Sequence, residues 1–235
     1  MHKEHYRHIL PHFQQPGQAY FISWCLKNSV PPKALSRYTK KLKELKTEIE
    51  FARKQKDNGQ LIMLLEQDYS SVRRKYMKAF DDLLHLQTQP EINLSKPEYT
   101  EIISGALQFF ENEKLRNYAC CIMPNHVHWV FLTLEKDKDG LPVYVEDIMQ
   151  SVKRHTAYKI NEQENRKGAL WQKESFDVTI RDEKHLYRTI EYTLNNPVVA
   201  GLVQNREEWK GSWCSDYGCG GFQPKNGCGG FQPPK

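Results

Sequence analysis

Two histidines separated by one valine are the residues of this 235-residue chain best placed to do chemistry. His126 and His128 stand in the run Met-Pro-Asn-His-Val-His-Trp-Val-Phe-Leu, whose apolar and aromatic residues predict a β-strand. Alternate side chains of a strand leave the same face, so the two imidazoles project together. Neighbouring imidazoles on a rigid strand could hold a metal ion, although two ligands do not complete a site. Taken alone, such a pair more often consists of ordinary surface or core histidines.

A second group of reactive side chains lies on a predicted helix near the end of the chain. Tyr192 and Asn196 are four residues apart and therefore share one face of that helix. The tyrosine could act as a nucleophile, and the amide could supply an oxygen ligand to the histidine pair. The alternatives are that Tyr192 is a core aromatic residue and that Asn196 ends the helix before Pro197. From the spacing alone, these alternatives are the more frequent ones.

The elements that must position these residues follow from the periodicity of the sequence. Predicted strands cover residues 18–26, 116–123, 126–134 and 176–181. Predicted helices run from a capping box at Ser95 to about 112, over 144–165, and from a cap at Asp182 to about Asn196. The order β-α-β-β-α-β plus a final helix predicts an α+β fold of the ferredoxin-like type. In that fold, two helices pack on one face of a four-stranded sheet.

Two segments interrupt or extend this order. Residues 33–86 carry apolar residues at spacings of three and four on both sides of a turn at residues 57–59, which predicts an inserted antiparallel helical hairpin. A heptamer, Cys-Gly-Gly-Phe-Gln-Pro-Lys, begins at Cys219 and recurs nearly unchanged from Cys228, and its glycines and prolines cannot build a core. The predicted organisation is one domain over residues 17–213, including the hairpin, and a flexible tail over residues 214–235.

Composition narrows the class of protein. The formal net charge is +5, with basic residues concentrated between Lys27 and Lys56, which suggests contact with nucleic acid but not a histone-like polycation. The sequence shows no signal peptide and no apolar run of about 18 residues, so neither export nor a membrane span is expected. We therefore expect a cytoplasmic protein whose six cysteines are reduced.

Five segments, taken together and in order, resemble REP-associated tyrosine transposases, relatives of the single-tyrosine HUH transposases of small insertion sequences. They are MPNHVH at 123–128, SVKRHTA at 151–157, LWQ at 170–172, IRDE at 180–183 and YTLNNPVVAGLV at 192–203. Each segment alone is weak, whereas the ordered set is specific, and the resemblance spans about residues 17–213. The long hairpin and the repeated tail depart from the family pattern, which leaves DNA specificity and oligomeric state open.

The resemblance implies a ferredoxin-like fold and a divalent cation, Mg²⁺ or Mn²⁺. It implies that His126 and His128 form the HUH motif, that Tyr192 is the catalytic tyrosine and that Asn196 is the third metal ligand. The implied activity is sequence-specific cleavage and transfer of single-stranded DNA at hairpins through a covalent phosphotyrosine. Such an activity would serve transposition or the processing of repetitive palindromic elements. Tyr187 is a nearby alternative nucleophile that lies outside the matching motif.

Basic side chains near the site are the predicted DNA contacts. Lys153, Arg154 and His155 lie on the helix that follows the histidine strand, whereas Arg181 and Lys184 lie at the start of the tyrosine helix. A solvated helix face is the alternative for each of them. The expected partner is single-stranded or hairpin DNA, so a prokaryotic protein of this kind would be nucleoid-associated when bound. The inserted hairpin could clamp a DNA stem or form a homodimer as a coiled coil.

Two other functions fit parts of the sequence. A catalytically silent hairpin DNA-binding protein could use the same scaffold, although no motif residue is visibly lost. A zinc-stabilised structural module could use His126, His128 and cysteines of the tail.

Overall fold

The computed structural model describes residues 5–7, 11–13, 15–31, 33–55, 58–86, 90–173 and 175–215, and its architecture is α+β, as predicted. The strands are β1 (His5–Arg7), β2 (Pro11–Phe13), β3 (Ala19–Cys25), β4 (Leu115–Ile122), β5 (His126–Thr133), β6 (Phe176–Thr179) and β7 (Ser212–Cys214). The α-helices are α1 (Ser36–Lys54), α2 (Gly59–Leu86), α3 (Pro97–Gln108), α4 (Val145–Gln163) and α5 (Glu183–Val199), and a 3-10 helix spans Arg206–Glu208. The predicted tail lies outside the described residues from position 216 onward. No helix in the described part of the chain combines the length and apolar character that a bilayer crossing requires.

One antiparallel sheet carries the histidine pair. Its strands lie in the order β6-β3-β5-β4-β7, so β5 is central, between β3 and β4. All eight residues of β5 are buried, as expected of a strand whose aromatic and β-branched residues pack on both faces. The four predicted strands are all present. The predicted four-stranded sheet is wrong by one strand, because β7 pairs with β4 over residues 119–121 and adds a fifth strand at the edge. The pair β1 and β2, which forms a separate two-stranded sheet, was not predicted either.

Helices cover both faces of this sheet. α3 and α4 pack on the face to which Trp129 contributes, as the predicted pair of helices should. The opposite face includes Phe21 and Val130 and is covered by residues of α2 and α5. His126, His128 and Val130 are two positions apart along β5, so their side chains leave the same face of the sheet. The two imidazoles therefore lie on this second face, beneath α2 and α5.

The inserted hairpin is formed by α1 and α2, which pack against each other. Tyr76, Phe80 and Leu84 of α2 are buried in the same hydrophobic cluster as residues of β3 and β5. The hairpin is therefore anchored on the sheet and does not stand away from it. This packing places the last turns of α2 over the histidine pair.

The two predicted helix caps have different outcomes. Asp182 caps α5, because its carboxylate accepts a hydrogen bond from the His185 amide at 2.8 Å. The capping role predicted for Ser95 is wrong, because no side chain caps α3 and the Ser95 hydroxyl instead donates to Asn93 Oδ1 at 2.6 Å. Pro97 stands in the first turn of α3, where its missing N–H needs no partner.

The predicted end of α5 near Asn196 is also wrong. Pro197 lies inside the helix, which continues to Val199. Proline removes one hydrogen bond to the preceding turn, but its fixed φ angle is compatible with a helix. The last turn of α5 therefore forms despite Pro197 and ends two residues later, at Val199. Asn196 is therefore inside the helix and only 1% exposed, which removes the interpretation of this residue as a helix end.

Candidate functional site

His126 and His128 lie at the start of β5 and face each other through their Nε2 atoms, which are 3.0 Å apart. Phe21 stacks on the His128 ring, with centroids 5.4 Å apart. Burial, and then the other histidine, lowers the pKa of His126 well below its usual range. Burial, and then His85, lowers the pKa of His128 to about 3. Both imidazoles are therefore neutral at pH 7, and each has one nitrogen lone pair.

A chain of hydrogen bonds fixes which nitrogen of His126 carries the proton. The Asn125 side-chain nitrogen donates to the Leu84 carbonyl oxygen at 2.9 Å. The Asn125 Oδ1 atom lies 2.6 Å from His126 Nδ1. Because an amide oxygen can only accept a hydrogen bond, His126 Nδ1 is the nitrogen that carries the proton. The lone pair of His126 is thus on Nε2, the atom that faces His128.

The paired Nε2 atoms have the separation expected of two ligands to one cation. Two nitrogen ligands about 2.1 Å from a metal and at right angles around it are about 3 Å apart. A second ring nitrogen that donates to an oxygen, as His126 Nδ1 does to Asn125, is usual for a metal-ligating histidine. The same separation of 3.0 Å also fits a direct hydrogen bond between the two rings. Among the described residues, no group of three or more His, Cys, Asp or Glu side chains could hold a metal ion.

Asn196 reaches the histidine pair from α5. Its side chain interacts with both rings and raises the pKa of each, which opposes the larger effect of burial. Its Oδ1 lies 3.0 Å from His85 Nε2, and its buried Nδ2 has no hydrogen-bond partner among the described residues. An amide oxygen is a ligand that suits Mg²⁺ and Mn²⁺. Two imidazole nitrogens and one amide oxygen from this cluster make a donor set that fits such an ion.

Tyr192 lies beside the same histidines. Its ring centroid is 5.6 Å from that of His128 and 5.8 Å from that of Phe21. The residue is 38% exposed, so Tyr192 is not a buried core aromatic. Its hydroxyl donates to Asp81 Oδ2 at 2.5 Å. The chain therefore brings together the tyrosine, the amide and the two histidines that were predicted from the sequence.

The contact with Asp81 affects the ionisation of both partners. Burial raises the pKa of Asp81 to about 6, against the opposing effects of the Tyr192 hydrogen bond and of His85. Burial, and then the Asp81 carboxylate, raises the pKa of Tyr192 above its usual value. A free phenolate therefore does not accumulate at neutral pH.

Sequence analysis did not identify the contribution of α2 to this site. Asp81 contacts Tyr192, and His85 contacts Asn196. The main-chain carbonyl of Leu84, on the same helix, accepts a hydrogen bond from the Asn125 side chain and so orients it. Asp81 and His85 are four residues apart and share one face of α2, which was the signal available in the sequence. Their partners are more than 100 residues away, so that spacing could not show what they would meet.

Three predicted DNA contacts lie away from the histidine pair. Lys153, Arg154 and His155 belong to α4, which covers the other face of the sheet. Lys153 Nζ donates to the carbonyl oxygens of Gln172 at 2.8 Å and Lys173 at 3.2 Å, which ties α4 to the segment before β6. Arg154 and His155 are exposed.

The other two predicted contacts lie at the start of α5, close to a cavity. This cavity has a volume of about 730 Å³, lies between α2 and α5, and has Tyr192 and Arg181 in its lining. Lys184 is exposed in the first turn of α5 and does not line it. All five predicted contacts are described residues. Of these five, only Arg181 lines the same cavity as Tyr192, the candidate nucleophile.

Comparison with known proteins gives one similar sequence. No protein-family model matches the chain. The chain is 27% identical over 114 residues to a protein of Haemophilus influenzae whose name assigns it to the REP-associated tyrosine transposases. The match covers 46% of this chain and 64% of that relative, so the chain spans less than two thirds of the relative's length. It confirms the resemblance that the ordered motifs indicated.

One solved structure is also similar. It is described as a REP-associated tyrosine transposase bound to a REP hairpin, and the likeness covers 88% of this chain and 80% of that one. The identity is 14% and the TM-score is 0.43, a likeness too low to support conclusions about this chain.

Proposed function

We propose that this chain is a divalent-metal-dependent enzyme that nicks and joins single-stranded or hairpin DNA through a covalent phosphotyrosine. The meeting of Tyr192, the histidine pair and Asn196 in one chain carries the proposal, because these are the parts that tyrosine-based phosphoryl transfer needs. The resemblance to REP-associated tyrosine transposases supports the same reaction class. Repetitive palindromic elements, or a transposon that carries them, are the proposed source of the hairpins.

The proposed metal ligands are His126, His128 and Asn196. The neutral imidazoles face each other at 3.0 Å, and the buried amide interacts with both, so the cluster suits Mg²⁺ or Mn²⁺ with positions left for phosphate oxygens. Such an ion, when bound, polarises a phosphoryl oxygen and offsets the negative charge that develops during the reaction.

Tyr192 Oη is the proposed nucleophile. It attacks the scissile phosphorus in line, a P–O bond to tyrosine forms, and the bond from phosphorus to the 3′ oxygen breaks. One DNA segment is then joined to Tyr192 through its 5′ phosphate, and the other leaves with a 3′-hydroxyl whose proton comes from water. Asp81 accepts the phenol proton during the attack, because its Oδ2 already lies 2.5 Å from Oη.

The joining step is the reverse reaction with a different 3′-hydroxyl. That hydroxyl attacks the phosphotyrosine and gives its proton to water, the bond from phosphorus to Tyr192 Oη breaks, and the phenol regains its proton from Asp81. The covalent intermediate retains the phosphodiester bond energy, so strands can be exchanged without ATP. One chain brings Tyr192 and the histidine pair together, with ring centroids of Tyr192 and His128 5.6 Å apart, so the proposed nucleophile acts in the same copy as the proposed histidine ligands.

A covalent-adduct assay tests the proposal. The full chain is incubated with Mn²⁺ and a hairpin oligonucleotide labelled at its 3′ end, and labelled protein is resolved on a denaturing gel. Wild type and the matched control Tyr187→Phe should form the adduct, and Tyr192→Phe should form none. An adduct with Tyr192→Phe would contradict the assigned nucleophile. Tight hairpin binding by wild type without any adduct, whichever divalent metal is added, would favour the silent DNA-binding protein.

A further inference from the structure

Two consecutive residues in the last turn of α2 support two of the three proposed metal ligands. The Leu84 carbonyl oxygen accepts a hydrogen bond from the Asn125 side chain, whose Oδ1 in turn lies 2.6 Å from His126 Nδ1. The next residue, His85, has its Nε2 atom 3.0 Å from Asn196 Oδ1. The partners of α2 in these contacts are 41 and 111 positions away along the chain, so the inserted hairpin holds parts of the site that come from separate elements.

The contact with His85 fixes which end of the Asn196 amide is the oxygen. An amide oxygen can only accept a hydrogen bond, so His85 Nε2 carries the proton and donates it. Asn196 is 1% exposed, and its Nδ2 has no hydrogen-bond partner among the described residues. A half-turn of the amide would exchange its oxygen and nitrogen and set two N–H donors against each other. The His85 donor therefore favours the observed orientation.

The orientation of this amide matters because only its oxygen can ligate a hard cation. A carbonyl-type oxygen has two lone pairs, so Asn196 Oδ1 can accept from His85 and still offer one lone pair to a cation. Groups that ligate metals are usually held in this way by a hydrogen bond from an outer residue. The Asn125 side chain holds His126 by the same principle, with its oxygen as the acceptor.

His85 is not placed to be a ligand itself. Its ring centroid is 6.1 Å from that of His126. Among the described residues, His85, His126 and His128 do not form a group of three side chains that could hold a metal ion. An effect of His85 on the cation must therefore pass through the side chain that it contacts, Asn196.

We infer that His85 is a positioning residue, which holds the Asn196 amide with its oxygen available to the divalent cation. The inference rests on the proposed function, since that proposal makes Asn196 a metal ligand. It gives the inserted hairpin a role in organising the metal site, which neither a stem clamp nor a dimerising coiled coil requires. The cation should therefore bind more weakly when the His85 donor is removed, although no ligand is lost.

Titration with Mn²⁺ tests this role without DNA and without catalysis. Mn²⁺ is added to the full chain, and the free ion is measured by electron paramagnetic resonance. His85→Phe keeps a planar ring but removes the donor, and it should weaken Mn²⁺ binding about 10- to 100-fold, the usual loss for an outer partner of a ligand. His85→Gln keeps an N–H donor and should restore most of the affinity. His155→Phe, at an exposed position on α4, is the matched control and should bind Mn²⁺ as wild type does.

Two results of this titration overturn the positioning role. One is Mn²⁺ binding by His85→Phe that equals wild type, and the other is a loss in His85→Gln as large as that in His85→Phe. Circular dichroism checks that each variant is folded. Where phenylalanine prevents folding, His85→Ala takes its place, with the same expected loss.

Pulsed electron paramagnetic resonance of the bound Mn²⁺ separates positioning from ligation. Couplings from two imidazole nitrogens should appear in wild type and remain in His85→Gln. A third coupling that disappears in His85→Gln would make His85 a ligand and overturn the inference. Wild-type protein with His85-dependent Mn²⁺ binding but no covalent adduct would refute the proposed nicking and leave the inference standing. Adduct formation by wild type, with Mn²⁺ binding unchanged in His85→Phe, would refute the inference alone.

Discussion

At the residue scale, the proposed role of Asp81 as the base for Tyr192 predicts a pH dependence of the reaction. Asp81 can accept a proton only when ionised, and its pKa is raised to about 6. Single-turnover adduct formation should therefore fall as the pH drops through about 6 and level off above it. Asp81→Asn should be slower by about 10²- to 10⁴-fold and should lose this inflection. The same inflection in Asp81→Asn would show that another group is the base.

The stability of the same variant separates a catalytic loss from misfolding. The pKa of Asp81 is higher in the folded protein than its ordinary value of 3.8, so the folded state favours the protonated carboxyl. Ionisation of Asp81 therefore costs stability as the pH rises through this interval, and the cost is present at pH 7. Asp81→Asn should unfold at pH 7 at the same temperature as wild type or higher. A lowered unfolding temperature would attribute its lost activity to the fold.

The proposed cation should be detectable without DNA. A ligand that binds only the folded state at about 100 times its Kd adds about 2.7 kcal/mol, which is roughly 5–10 °C in Tm for a chain of this size. Excess Mn²⁺ should raise the Tm of wild type by this amount and should leave His128→Gln unchanged. His155→Gln, on the other face of the sheet, is the matched control and should retain the shift. An equal shift in all three proteins would place the cation elsewhere.

At the element scale, α2 is part of the core and not a detachable module. Phe80 is 7% exposed and stacks on Tyr76 with centroids 6.2 Å apart, within the cluster shared with the sheet. Phe80→Ala should cost about 3 kcal/mol in denaturant-induced unfolding, through lost burial and the cavity left behind. Phe51 of α1 is 63% exposed, and Phe51→Ala should change stability by less than about 0.5 kcal/mol. A tryptophan-fluorescence transition unaffected by Phe80→Ala would show that the hairpin unfolds separately from the sheet.

The sequence predicts where helices occur better than it predicts the residues at which they end. Apolar spacings of three and four correctly predicted α1 and α2, because a helix that packs on a core must bury one face. The last turn of α5 was missed, since a proline near a helix end removes a single hydrogen bond and tertiary packing tolerates the loss. That turn matters for the site, because it carries Asn196.

At the scale of the whole molecule, the sheet separates two groups of basic residues. Arg181 lines the cavity with Tyr192, whereas Arg154 lies on α4, on the opposite face. Both side chains are exposed, so neither substitution should disturb the fold. Arg181→Ala should weaken hairpin binding more than Arg154→Ala and should also reduce its dependence on salt, because a lost phosphate contact releases fewer counterions. Anisotropy titrations at several salt concentrations compare them, and a larger loss with Arg154→Ala would place the DNA on the α4 face.

The amino-acid pattern alone specifies the strand that carries His126 and His128, the helix that carries Tyr192 and Asn196, and the presence of a helical hairpin. These follow from local rules, since period and composition show which face of an element is apolar. The ordered motifs also indicated the family that the sequence match supports. The metal role of the histidines and Asn196, and the DNA contacts, remain predictions.

Only the tertiary structure decided which surfaces meet at the site. It placed α2 over the histidine pair, where Asp81 reaches Tyr192 and His85 reaches Asn196, and it placed α4 on the far face. Such contacts join residues more than 100 positions apart. They depend on how two amphipathic helices pack side by side on one face of the sheet. Packing of the entire core determines this arrangement, and the local spacing of apolar residues does not.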